Sequence, residues 1–170
     1  ETGPRDPMAG ADRRDLEPSP IEQMNVWKSF AENEVTHSMA HYLTALLKLH
    51  REKGYARVAD IARELEVTSG SVSVQKKQLI KLGFVAEDEN KHLTLTPIGE
   101  AKARAVLYNR RILIRFFQGV LGVDPMIAET DACKIEHLVS WETCSRLLGH
   151  LRLLESNDPA AVAFRARLES

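Results

Sequence analysis

The sequence predicts a mainly α chain in which an N-terminal winged helix-turn-helix is followed by an all-helical module. Three observations carry that reading. Two short amphipathic segments are joined by a tight break, a strand-turn-strand pattern follows at once, and two cap-plus-proline signals open helices further on. A chain of 170 residues with 44% hydrophobic residues has room for one sizeable core or two small ones. Its formal net charge of -1 lacks the strongly basic signature of a non-specific nucleic-acid binder, so any DNA contact must come from a local patch. Only two cysteines, Cys133 and Cys144, occur. No apolar run approaches the roughly 18 residues of a membrane span, and no signal-peptide pattern opens the chain. A reducing cytoplasm with no membrane partner is the expected setting.

Residues 1–20 are polar and rich in Asp, Arg and Pro, without periodicity, and residues 1–7 before Met8 read as a cloning remnant. Disorder is expected there. From Ile21 the pattern turns helical, and residues 21–96 are assigned to the winged helix-turn-helix. Met39, Leu43, Leu46 and Leu47 recur at helical spacing, and Gly54 supplies a stop. Val58, Ile61, Ala62 and Leu65 mark a short amphipathic helix. Residues 67–70 break it before another helix anchored by Val72, Leu79 and Leu82 and ended at Gly83. Residues 84–87 and 92–96 flank the polar Asp88-Glu-Asn-Lys91, which is hairpin grammar and makes the wing. Residues 97–156 form the helical module. Thr96-Pro97 is an N-cap followed by proline at the first helical position, opening a helix that runs to about Val120, with Gly119 and Gly122 at its end. Asp124-Pro125 repeats the signal, and Ser140 caps a last apolar-faced helix through Leu154. Residues 157–170 read as a C-terminal tail with at most a marginal helix.

The run Asp131-Ala-Cys-Lys-Ile-Glu-His137 puts a thiol, a carboxylate and an imidazole at i, i+3 and i+4, one face of a helix if the segment is helical. Mixed S/O/N donors suit Fe(II), Co(II), Ni(II) or Zn(II) better than Mg(II) or Ca(II). The bland alternative is a packed Cys133 acting as a small hydrophobe beside surface charges. The first long helix adds Glu34, His37 and His41 at i, i+3 and i+7. His37 divides between ligand and surface, and Glu34 between a charge partner and a solvated one. Cys144 lies on an apolar stripe with Leu147 and Leu151 and reads as core.

The helix after the break carries Thr68, Ser71, Gln75 and Gln78 on a polar face opposite Val72 and Leu79, with Ser69 and Ser73 beside them. Such side chains hydrogen-bond base edges, glutamine particularly adenine, while Lys76, Lys77 and Lys81 meet phosphates. Arg57 and Lys91 are additional phosphate candidates. A merely solvated helix face is the alternative.

Three separated segments, Glu52-Lys-Gly-Tyr-Ala-Arg-Val-Ala-Asp-Ile-Ala62, Leu95-Thr-Pro-Ile-Gly-Glu100 and Ile135-Glu-His-Leu-Val-Ser-Trp141, together resemble the metal-dependent repressors of the diphtheria-toxin-repressor and manganese-transport-regulator family. The likeness covers roughly residues 36 to 152. It implies a winged helix that reads double-stranded operator DNA, a helical module that binds metal and forms the homodimer, and a divalent metal between them that licenses DNA binding. The architecture is that of the short form, without the small carboxy-terminal barrel. It further implies a primary ligand set of His41, Cys133, Glu136 and His137. Cys133 falls where iron-type members have cysteine and manganese-type members glutamate. Two positions depart from the pattern: Thr44 replaces a bridging carboxylate of the manganese type, and Arg110 stands where both types place a histidine of a second subsite. An arginine cannot ligate. Either Arg110 fills that subsite with its own charge, paired with Glu34, or His37 completes a reorganised mononuclear centre. Val74 departs from a position that often carries a base-reading glutamine, so it meets a thymine methyl instead.

The expected function is therefore an Fe(II)-responsive repressor of metal-uptake genes, with Mn(II) or Zn(II) as the alternative effector. A metal-independent winged-helix regulator that senses redox state or an organic ligand is the rival from another class. An enzyme is not expected, because no zincin-type His-Glu-x-x-His run or nucleophile motif occurs.

Overall fold

The computed structural model describes residues 35–168. Helix α1 (His37–Lys53) starts where the Thr36 hydroxyl accepts from the Met39 N–H, and it stops at Gly54 in the left-handed region (φ 79°). Helices α2 (Val58–Glu64) and α3 (Ser69–Lys81) make the helix-turn-helix. The break between them is shorter than the sequence suggests. Thr68 caps α3, so Ser69 and Gly70 already lie in its first turn.

Strands β1 (Val85–Glu87) and β2 (Leu93–Leu95) pair antiparallel in the register Val85↔Leu95, Ala86↔Thr94 and Glu87↔Leu93. Ala56 adds a bridge to Leu93, so the wing is sewn back to the start of the helix-turn-helix. Helix α4 (Pro97–Gly119) then runs for 23 residues from a Thr96 cap. Helix α5 (Pro125–Ile135) is capped by Asp124, whose carboxylate accepts from the Met126 and Ile127 amides. Helix α6 (Trp141–Leu154) is capped by Ser140, and α7 (Pro159–Leu168) follows. The expected tail is thus largely helical. The Arg165 guanidinium ties α7 to the end of α6 through the carbonyls of Leu154 and Ser156.

The core comes in two parts. Leu43, Leu46, Ile61, Val72, Leu79 and Leu93 fill the winged-helix half, and Ala103 and Val106 of α4 belong to that cluster. Ile112, Leu113, Ala132, Cys144 and Leu151 form the second cluster, under Phe116 and Phe117. Helix α4, which begins at Pro97, therefore contributes to both cores. The close approach at its first turn requires glycine: a Cβ on Gly99 would lie 1.9 Å from the Phe84 carbonyl oxygen. No helix among the described residues is long and apolar enough to cross a membrane.

Candidate metal centre

His37 and His41 lie one turn apart on α1, which brings their imidazoles to the same side. Their Nε2 atoms are 3.2 Å apart, and His41 Nε2 is 3.4 Å from Cys133 Sγ on α5. The potential ligand atoms of His37, His41 and Cys133 all fall within 4.8 Å of one another. The His137 ring stands 5.3 Å from that of His37, centroid to centroid. Residues 92 positions apart in the chain thus converge on one point between α1 and α5.

The expected single helical face differs in detail. Helix α5 ends at Ile135, Glu136 is its C-cap, and His137 lies in the turn that follows. Glu136 keeps helical dihedrals (φ -53°, ψ -34°), so the spacing still brings Cys133 and His137 to one side. The Glu136 carboxylate, only 2% exposed, stands 3.7 Å from the Arg110 guanidinium of α4. Arg110 is held in turn by Glu129, with Nε 3.1 Å from Oε1. The sequence leaves Arg110 with Glu34, which lies outside the described residues; the described partners are Glu129 and Glu136. Glu129 sits four residues before Cys133 on α5, a spacing that could have pointed to it. Thr44, on α1, spends its hydroxyl on the His41 carbonyl (3.1 Å).

Burial sets the proton inventory. His41 is held below its ordinary pKa by burial first and then by the cationic forms of His37, Arg110 and His137. His137 is lowered by burial and by His37. Both imidazoles are therefore neutral near pH 7, the form that ligates. Burial, then the Glu136 charge, raises the Cys133 thiol against the opposing pull of Arg110. Burial pushes Glu136 up to about 7, with Arg110 opposing and Glu129 adding.

Two atoms test whether these residues fit a cation. Buried polar groups are nearly always hydrogen-bonded, yet Glu136 Oε2 and His137 Nδ1 are buried with no such partner. The thiol of Cys133 and the imidazoles of His37 and His41 form the close cluster and are donors for a borderline transition-metal ion; Glu136, whose Oε2 stands 3.7 Å from Arg110 Nε, and His137 lie outside that cluster. The residues present fit the group.

Among the DNA candidates, Thr68, Ser69, Ser71, Lys77 and Gln78 are exposed on α3, and Val74 is 58% exposed among them. Thr68 is occupied as the α3 cap and bonds Ser71 Oγ at 3.0 Å, and Ser73 returns its hydroxyl to the Ser69 carbonyl at 2.8 Å. Lys76 departs from the expectation. Its ammonium donates to both Glu87 oxygens at 2.8 and 2.9 Å, which pins α3 to the wing rather than leaving a cation for a phosphate. Gln75 is half-buried, with its side-chain oxygen lacking a hydrogen-bond partner. Arg57 rests against His92 (3.2 Å), which also meets Asp88 (3.1 Å) at the wing turn.

The second half of the chain, residues 96–159, matches the family described as "Iron dependent repressor, metal binding and dimerisation domain", and residues 29–97 match a domain of unknown function. The HTH-type transcriptional regulator MntR of Bacillus pumilus is 33% identical over 131 residues, which are 77% of this chain and 90% of that protein. Its namesake in Listeria monocytogenes is 34% identical over 77% of this chain and 92% of its own length. The solved structure of T. acidophilum IdeR superposes with a TM-score of 0.55 at 30% identity, covering 68% of this chain and 54% of that one. The manganese regulator SloR gives a TM-score of 0.59 at 24% identity, covering 66% of this chain and 53% of that one, a likeness of fold. The chain spans about half the length of these two solved structures but nearly all of the two sequence relatives.

Proposed function

The chain belongs to the diphtheria-toxin-repressor and manganese-transport-regulator family of metal-dependent transcriptional regulators, and from that premise we propose a homodimeric, Fe(II)-responsive repressor of metal-uptake genes. The reading rests on one observation. Imidazoles from α1 meet the Cys133 thiol of α5, next to a buried carboxylate and imidazole that have no hydrogen-bond partners for Glu136 Oε2 and His137 Nδ1. The proposed ligands are His41, Cys133, Glu136 and His137, with His37 joining them. A divalent ion bound there supplies a cross-link between α1, part of the winged-helix core, and α5, part of the helical module.

The chain's own groups prepare that cross-link. His41 and His137 stand neutral near pH 7, and to hold an ion Cys133 would give up its thiol proton and Glu136, 3.7 Å from Arg110, would turn its carboxylate toward it. Arg110 keeps its positive charge and its Glu129 partner, so the centre takes one ion per chain. Binding shifts the protein toward the arrangement in which both recognition helices of a dimer meet successive major grooves about 34 Å apart. The homodimer is supported by apolar side chains exposed on the helical module, among them Leu121, Met126, Ile127 and Trp141.

On the DNA side, Ser69, Ser71, Lys77 and Gln78 with Gln75 are the proposed contacts, and Val74 meets a thymine methyl. A thiolate with imidazoles favours Fe(II) over Mn(II), which prefers oxygen ligands. A Mn(II)-responsive regulator is the second reading, supported by the MntR relatives and the likeness to a manganese regulator.

Selection of bound duplexes from a random pool, run anaerobically with Fe(II), with Mn(II) and with chelator, tests the proposal. A palindromic site enriched with Fe(II), more weakly with Mn(II) and not with chelator is expected. Equal enrichment under chelator would replace it with the metal-independent regulator, and stronger enrichment with Mn(II) would reverse the order of the two metals.

A further inference from the structure

Asn109 occupies a position that the apolar pattern of α4 reserves for a core side chain, three residues after Val106 and four before Leu113. It is only 4% exposed. Its Nδ2 donates to the carbonyl of Glu136 at 2.9 Å and to that of Val139 at 2.8 Å, so both amide hydrogens are spent on the turn that follows α5. Those carbonyls bracket His137 and Leu138. A helix end leaves its last carbonyls without intrahelical partners. Here the Ile135 carbonyl is taken by the Leu138 and Val139 amides, and Asn109 supplies the donors for Glu136 and Val139. A flipped carboxamide would set its oxygen against two carbonyls, so the orientation is fixed. The next residue, Arg110, faces the Glu136 carboxylate. Helix α4 thus holds Glu136 twice, by its backbone and by its head.

We propose that Asn109 is the positioning residue of the metal centre, pinning to α4 the turn that presents Glu136 and His137. The proposal rests on the metal reading above. Partners that orient metal ligands without touching the ion commonly change affinity by roughly 10- to 100-fold when removed. Asn109 acts one bond further back than such a partner, through the backbone of the ligand turn.

Co(II) is the probe, because its visible bands report thiolate ligation and ligand geometry. Asn109→Leu keeps the volume and removes both donors, and Asn109→Gln keeps the donors but carries them one methylene further out. Leu113→Ala is the control for a merely structural role, since Leu113 lies in the neighbouring core. Asn109→Leu is expected to weaken Co(II) binding by roughly tenfold or more and to shift its visible bands. Asn109→Gln shifts the bands with a smaller loss. Leu113→Ala lowers the thermal midpoint but keeps the wild-type bands and affinity. If Asn109→Leu does not fold, Asn109→Gln decides in the same way. Wild-type bands and affinity in the folded Asn109 variants would overturn the proposal alone, whereas a wild-type chain that binds no Co(II) would overturn it together with the metal reading.

Discussion

Cys133 and Glu136 hold the protons that a metal at the proposed centre would displace. In the metal-free chain burial keeps the thiol protonated well above neutrality and raises the Glu136 carboxyl to about 7. The sign for stability follows. Folded Glu136 binds more protons than the unfolded chain between its ordinary range and about pH 7, so its contribution to the stability of the metal-free chain falls as pH rises through that window. For binding the sign is opposite, because ligation requires the deprotonated forms and affinity rises with pH. Calorimetry in buffers of different ionisation enthalpy should count roughly two protons released per ion at pH 6, falling toward about one at pH 8 as Glu136 ionises beforehand. Release of none at either pH would remove both residues from the ligand set. The thiol, carboxylate and imidazole were legible because they share a short helical spacing. The Arg110–Glu129 pair was not, since nineteen residues and a helix turn separate its members. Asn109 is marked in the sequence only as a polar side chain in an apolar stripe.

Helix α4 shows how much one element does. Its first turn is bolted to the wing base: Thr96 donates its amide to the Phe84 carbonyl (3.0 Å) and its hydroxyl to the Gly83 carbonyl (2.6 Å), and it accepts from the Gly99 amide (3.1 Å). Gly99→Ala would push a methyl into the Phe84 backbone, which cannot swing aside as a flexible side chain could. A loss of about 3 kcal/mol and a fall in Tm of roughly 6–12 °C are expected for a chain of this size. An unchanged Tm would mean that α4 is not seated on the wing base as described. The caps at Thr96, Asp124 and Ser140 were readable because capping chemistry is local. Gly99 belongs to the segment of residues 95–100, yet its role depends on where the wing lies in space. The full extent of α7 and the shortness of the break before α3 were not legible, for related reasons. The first is anchored by Arg165 to the carbonyls of Leu154 and Ser156, and the second depends on which residue caps.

In the molecule as a whole, α1 belongs to one core, α5 to the other, and α4 runs through both. The proposed metal centre, drawn from α1, α5 and the following turn, therefore sits where a small cation would bias the relation between the winged-helix half and the helical half. Fold class followed from periodicity, hairpin grammar and caps, each of which is written in consecutive residues. The number of ions per chain is not written in the sequence, because it turns on the position of Arg110 relative to Glu136. Arg110 against that carboxylate argues for one ion, and the thiol of Cys133 argues for iron. An anaerobic calorimetric titration of the metal-free protein with Fe(II) and, separately, Mn(II) tests both at once. One tight Fe(II) per chain with weaker Mn(II) is the expected result. Two Mn(II) per chain would contradict the account by showing that Arg110 yields its place, and binding of neither metal would contradict the metal centre itself.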